Sequence, residues 1–261
     1  MTFGDPITST ANPTLAYVRA LLTRRDRRAA ERAFVVEGRR AVADAIAAGA
    51  RPTLLLLRAG SDASLSTELP PETPVRLVAA RSFDALSDVV HAQGVLAVLP
   101  FPDLPIDPAA TPLALVVDRI RDPGNLGTLL RAAAGAGATV VYLAPETVDP
   151  FNPKVVRAAM GAHHRIPLRL LTEEATTALR AAVPLRVVAR ADAPLPYDAL
   201  DWREPAAVII GSEASGVSGE TAALATNAVA IPLTGGVESL NAAVAGAVIL
   251  FEAARQRRVG G

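Results

Sequence analysis

The chain has no cysteine. Disulfides, thiolate catalysis and cysteine-ligated zinc are therefore excluded. Aromatic residues make up only 4% of the 261 positions, so Val, Leu, Ile and Ala, the bulk of the 51% hydrophobic content, must build the core. Lysine is nearly absent: Lys154 stands against 25 arginines. That bias and the alanine richness read as the imprint of a GC-rich genome and carry little functional weight. No apolar run reaches the roughly 18 residues of a membrane-spanning helix without a charge. Residues 240–251 come nearest and read as a buried helix. The first twenty residues lack a basic stretch followed by an apolar core, so no signal peptide is expected; with the missing cysteines, this points to a cytoplasmic protein. No GxxxxGK[ST] loop occurs, which removes the P-loop enzymes. His91, His163 and His164 have no metal-ligand spacing, and no metal is expected. His163-His164 reads as a surface pair.

Net charge is zero, which argues against a general nucleic-acid coat, but the distribution is uneven. Between Arg19 and Arg40 there are eight arginines and three acids. Residues 100–112, PFPDLPIDPAATP, hold five prolines in thirteen positions. Proline fixes φ and cannot continue a helix or a central strand, so residues 101–112 are the expected linker between a domain at 1–100 and one at 113–261. The first reads as a small αβα sandwich: a helix near 13–31, strands at 33–37, 53–58, 75–79 and 95–99, and helices ending near 48 and spanning 82–89. The second alternates strands near 113–118, 139–143, 166–170, 185–190, 206–211 and 228–232 with helices near 125–136, 153–160, 173–182, 218–225 and 239–257. Such alternation predicts an α/β fold with a mostly parallel sheet.

Three segments of the second part share one form, an apolar strand, a polar turn with glycine and a helical run. They are DRIRDPGNLGTLLRAAAGAGA (118–138), VIIGSEASGVS (208–218) and IPLTGGVESLNAAVAGAVILFEAARQR (231–257). Polar residues thus collect where strands end and helices begin, the place where open α/β sheets hold ligands. Each also has a plainer reading. Asn125 would cap the following helix, and Ser239 would cap the last one. Arg131 could be an arginine snorkelling off an apolar helix, or one held at the site to face an anion. Glu213 follows a buried strand end, a costly place for an unpartnered carboxylate. Gly135 and Gly137 follow a helix and precede a strand, the reverse of a dinucleotide-binding loop, and read as a helix end and turn.

The trio NLGTLLR, IIGSEASGVS and IPLTGGVESLNAAVAGAVILFE resembles the three motifs of the SpoU/TrmH class of RNA ribose 2'-O-methyltransferases, in the SPOUT superfamily. NPKVVRAAMGAHHRIPL (152–168) is similar too. The Arg-rich helix, FVVEG (34–38) and HAQGVLAV (91–98) resemble the L30e-like substrate-binding domain often fused to these enzymes. The resemblance implies a trefoil-knot C-terminal domain that binds S-adenosylmethionine, at Gly211, Ile231 and Leu240 with neighbours Ile210, Leu233 and Ser239. It maps the active-site polar residues to Asn125, Arg131, Glu213, Ser239 and Asn241. It implies a homodimer with the site at the subunit interface. One departure stands out: Ala214-Ser215 occupies a place where Gly-Pro or Gly-Asn-like pairs are common.

On that resemblance the expected activity is methylation of a ribose 2'-hydroxyl in structured RNA, 23S ribosomal RNA first and transfer RNA second. A non-catalytic RNA-binding or assembly protein on the same fold and a small-molecule α/β enzyme are the rivals. An antibiotic-resistance role stays open. Family accounts make the arginine at position 131 the base. A guanidinium is normally permanently charged, so the alternative is that it stabilises the developing alkoxide, with Asn125, Glu213 and Ser239 orienting it and Asn241 supporting the loop. Arg24, Arg25, Arg28 and Arg39, clustered beside FVVEG, are the expected contacts to the RNA backbone; a solvated helix face is the plainer reading.

Overall fold

A computed structural model describes residues 4–87 and 93–259. His91 and Ala92, part of HAQGVLAV, and the end of the helix expected at 82–89 lie outside the described residues. The chain forms two compact units, 1–102 with 151–164, and 103–150 with 165–261. The first division falls inside the proline-rich segment. The second was not expected: 151–164 leaves the C-terminal part of the chain and joins the N-terminal unit.

In that unit, α1 (Pro13–Thr23) and α2 (Arg25–Glu31) precede β1 (Ala33–Glu37), α3 (Arg39–Ala47), β2 (Leu54–Arg58), β3 (Val75–Val78), α4 (Ala80–Asp84) and β4 (Val95–Pro100). The sheet order is β1-β4-β2-β3, antiparallel except for β2 with β3. Side chains alternate across a strand, and here both faces are apolar. Val35, Leu54 and Leu56 pack with Leu15, Val18 and Leu21 of α1 on one face. Phe34, Val36, Leu55 and Leu57 pack with Val42 of α3 on the other. The later segment α6 (Pro153–Ala159) is drawn in by ring packing. Phe151 stacks on Phe101 with centroids 3.7 Å apart and lies 5.0 Å from Phe34. His163, expected on the surface, is buried beside these rings, 5.4 Å from Phe151.

The single helix expected over 13–31 is two helices. Arg24 takes extended backbone angles between them. A helix end leaves carbonyls without partners, and Arg28 supplies one: it folds inward, 3% exposed, and its guanidinium donates to the Leu21 carbonyl at 2.6 Å. Arg28 is thus a structural arginine and not an RNA contact. Arg28→Ala is expected to cost about 1–3 kcal/mol of stability, because a buried carbonyl loses its donor; thermal unfolding checks this.

The C-terminal unit runs β5 (Leu113–Val117), α5 (Pro123–Gly135), β6 (Val140–Leu143), β7 (Leu168–Leu170), α7 (Glu173–Ala182), β8 (Leu185–Ala189), β9 (Leu195–Pro196), β10 (Ala206–Ile210), α8 (Gly219–Ala222), β11 (Asn227–Ala230) and α9 (Ala242–Val259). Its seven strands are all parallel, in the order β7-β6-β5-β10-β8-β11-β9. The central strands β5 and β10 are buried along their whole length, as parallel strands covered on both faces are. Helices α5 and α9 pack closely: a Cβ on Gly246 would come within 2.4 Å of the Leu129 side chain. As expected, the stretch around Gly137, at φ +75°, ends α5 and turns into β6. No helix among the described residues is long and apolar enough to cross a membrane.

Candidate active site

All parallel strands of one sheet end on the same side, so the turns after β5, β8, β10 and β11 share one edge. The β10 strand runs into Gly211, and the loop doubles back at once: Ser212 and Gly216 exchange backbone hydrogen bonds of 3.0 and 2.8 Å. Ser212 Oγ also accepts from the Ala214 and Ser215 amides at 3.3 Å. The unusual Ala214-Ser215 pair is therefore held by a serine cap. At the far end of the loop the Ser218 amide donates to the buried Asp118 carboxylate, at the end of β5.

This loop projects Glu213 between the N-termini of α5 and α9. Its Oε1 accepts from Asn241 Nδ2 at 2.7 Å, from the Ala242 amide at 2.9 Å and from Asn125 Nδ2 at 3.2 Å. Asn241 Nδ2 also donates to Asn125 Oδ1 at 2.9 Å. Three side chains, one from each motif, thus form a closed set around one carboxylate oxygen. A helix N-terminus offers unpaired amides and positive potential, so an anion is well placed there.

Two capping expectations are corrected. Asp122 caps α5, accepting from the Asn125 amide at 2.7 Å; Asn125 sits in the first turn, which frees its side chain for Glu213. Asn241 caps α9, its Oδ1 accepting from Ala243 at 3.0 Å and Val244 at 3.2 Å. Ser239 is not the cap, and α9 starts at 242, three residues later than expected.

Beside the Glu213 cluster lies a cavity of about 270 Å³. Ile210, Gly211, Ile231, Leu233, Ser239 and Leu240, the six residues expected to hold a cofactor, all line it. Glu213 lines it as well. Another part of its wall is the end of β8 and the turn after it, Ala189 to Asp192, which sequence reasoning missed. The signal was there: β8 ends in a polar Arg-Ala-Asp turn like the other strands, but without glycine. Arg190 and Asp192 pair at 2.7 Å, and the guanidinium holds the Asp192 carboxyl below its ordinary range.

Arg131 stands apart. Its side chain is exposed and makes no hydrogen bond or ion pair with the other described residues, and it is not part of the cavity wall. The expectation that Asn125, Glu213 and Ser239 orient it is not met within one chain, because Glu213 is engaged by Asn125, Asn241 and the Ala242 amide. Of the arginines expected to touch RNA, Arg24 pairs with Asp26 at 2.5 Å and Arg39 with Asp62 at 3.0 Å. Arg25 is exposed with no such bond.

Residues 112–251 match the SpoU rRNA Methylase family, and residues 12–97 match an MRM3-like substrate binding domain. The chain belongs to the SpoU rRNA methylase family. Among relatives of this SpoU-family chain, the mitochondrial rRNA methyltransferase 3 of Mus musculus is 34% identical over 94% of the chain and 72% of the mouse protein. The AdoMet-bound rRNA methyltransferase of Sinorhizobium meliloti superposes with a TM-score of 0.85 at 31% identity, covering 96% of this chain and 97% of that one. The SpoU methyltransferase AviRb of Streptomyces viridochromogenes, in complex with AdoMet, gives 0.83 at 28% identity over 96% and 100% of the two chains.

Proposed function

We propose that the protein transfers a methyl group from S-adenosylmethionine to a ribose 2'-hydroxyl of ribosomal RNA, and that it works as a homodimer. The observation that carries this is the convergence of three distant motifs on Glu213, next to a cavity lined by all six expected cofactor residues. The named activity of the relatives and the AdoMet in the Sinorhizobium and Streptomyces structures support the same reading.

The cavity suits the donor. Ile210, Ile231, Leu233 and Leu240 offer apolar walls to a flat ring, and the absent Cβ at Gly211 lets the loop fold tightly back to form the wall beside them. When bound, S-adenosylmethionine supplies an electrophilic methyl on a sulfonium. The chain's part is to hold the acceptor oxygen in line with it and keep water away. Glu213, bonded to Asn125, Asn241 and the Ala242 amide, braces the corners that form the cavity. The role proposed for Arg131 is to stabilise the alkoxide as it forms.

The dimer accounts for Arg131. Val244 is 47% and Phe251 is 50% exposed on α9, and Phe251 lies beside Gly135, one turn beyond Arg131 on α5. A second copy covering this apolar strip would bury it and place Arg131 at a completed site. Arg131→Ala is expected to lower the single-turnover methylation rate about 100-fold or more, and Arg131→Lys is expected to fail as well, since a point charge does not replace a planar fork. Near-normal rates would remove Arg131 from the reaction. Phe251→Glu is expected to shift the protein toward monomer in sedimentation.

RNA binding by the N-terminal unit is expected to rest on exposed cations. Arg25→Ala should flatten the salt dependence of RNA affinity by roughly one counterion, whereas Arg28→Ala should leave that slope unchanged while lowering stability.

A further inference from the structure

The N-terminal unit has a second cavity that methyl transfer does not use. It measures about 320 Å³ and lies between the C-terminal end of β1, α3 and α6, a size at the lower end for small-ligand sites. Val35, Val36, Ala41, Val156 and Met160 make its walls apolar. Two carboxylates are set among them, Asp44 and the more deeply buried Glu37. The Glu37 side chain is only 9% exposed, accepts from Ser87 Oγ and lies 3.7 Å from the Arg157 guanidinium. At the mouth, Gly38 has φ +101°, and a Cβ there would sit 3.2 Å from Gln93 Oε1. Arg40, also on the lining, is exposed and makes no hydrogen bond or ion pair with the other described residues.

These features narrow the occupant. An aliphatic side chain would leave the Glu37 carboxylate facing hydrocarbon. A phosphate or a bare sugar would meet apolar walls and two carboxylates, with the inner cation, Arg157, already beside Glu37. A flat heterocycle with N–H donors along one edge suits both, and the phosphate attached to it would find Arg40. We propose that this pocket takes one unstacked nucleobase of the RNA, guanine best, because guanine presents two adjacent N–H donors to a single carboxylate. Proteins read RNA sequence chiefly through such splayed bases. The proposal rests on the RNA-methylase reading above and adds to it where the RNA is gripped.

Met160 makes the test direct. It is one of two methionines in the chain, the other being Met1, so methyl-13C-methionine labelling yields a single internal reporter in the pocket wall. In the full-length protein, titration with 5'-GMP is expected to move the Met160 methyl resonance upfield and saturably. Inosine 5'-monophosphate, which lacks the 2-amino group, should bind about tenfold more weakly, equivalent to about 1.4 kcal/mol. Ribose 5-phosphate should move nothing, and Ala41→Phe, which fills the cavity, should abolish the shift. No shift with 5'-GMP, an equal shift with ribose 5-phosphate, or a shift that survives Ala41→Phe overturns the proposal. The titration on the unsubstituted protein decides the matter even if that variant does not fold. Calorimetry with S-adenosylmethionine on the same sample separates the two readings. Nucleotide binding that fails while cofactor binding persists sinks the pocket alone, and cofactor binding that fails sinks the methyltransferase reading.

Discussion

Glu213→Ala is expected to lower methylation by about 30- to 1000-fold while leaving a folded protein. The carboxylate oxygen accepts from Asn241, Asn125 and the Ala242 amide, and hydrogen bonds to a charged group are worth about 1.5–3 kcal/mol each. Their donors stand near solvent at two helix ends, so water replaces much of what is lost in stability. Water does not replace the geometry. Without the brace, the turn after β10 and the cap of α9 can drift, and a loss of about 2–4 kcal/mol in the transition state gives the stated range. Glu213→Gln retains one acceptor oxygen and should fall between the two. Single-turnover methylation measures the effect, and a fully active Glu213→Ala would show that the convergence of the three motifs has no catalytic role.

The second large effect is expected at Gly211. A Cβ there would stand 2.4 Å from the Gly216 carbonyl carbon and 2.6 Å from the Val217 nitrogen. These are backbone atoms of the same tight loop and cannot move aside as a side chain can. Gly211→Ala must therefore open the Ser212–Gly216 bridge and displace the cavity wall, and cofactor affinity is expected to fall by about 100-fold or more, the effect of about 3 kcal/mol. Gly216 is the control. It has φ +60°, but a Cβ there meets nothing within 4 Å, so Gly216→Ala carries only the left-handed penalty of about 1–2 kcal/mol. Calorimetric binding to the two variants tests the contrast; equal losses would mean that conformation and not close approach governs the loop.

Much of this was readable in advance because local rules decide it. Strand and helix positions follow from apolar periodicity, and the parallel sheet follows from their alternation. The six cavity residues and the Asn125, Glu213 and Asn241 set followed from a resemblance carried by three motifs. Capping was harder, because several side chains compete for each helix end. Asp122 outcompetes Asn125, and Asn241 outcompetes Ser239; in each case the losing assignment leaves Glu213 without its donors or the helix without its cap. Arg28 could not be told from Arg25 by sequence, since both lie in one arginine-rich run. What separates them is the break at Arg24, which turns Arg28 toward the open carbonyl of Leu21.

By itself, then, the sequence determined the class of fold, the order of its elements except the two-residue edge strand β9, and the chemical character of the strand ends, all properties of short stretches and their periods. Tertiary structure alone decided the assignment of 151–164 to the N-terminal unit, the burial of His163, the closed ring around Glu213 and the isolation of Arg131. The ring around Glu213, for one, joins groups 28 to 116 residues apart in the chain. A hydrogen bond is satisfied by whatever donor packing brings near, and packing is settled only when the whole core has closed.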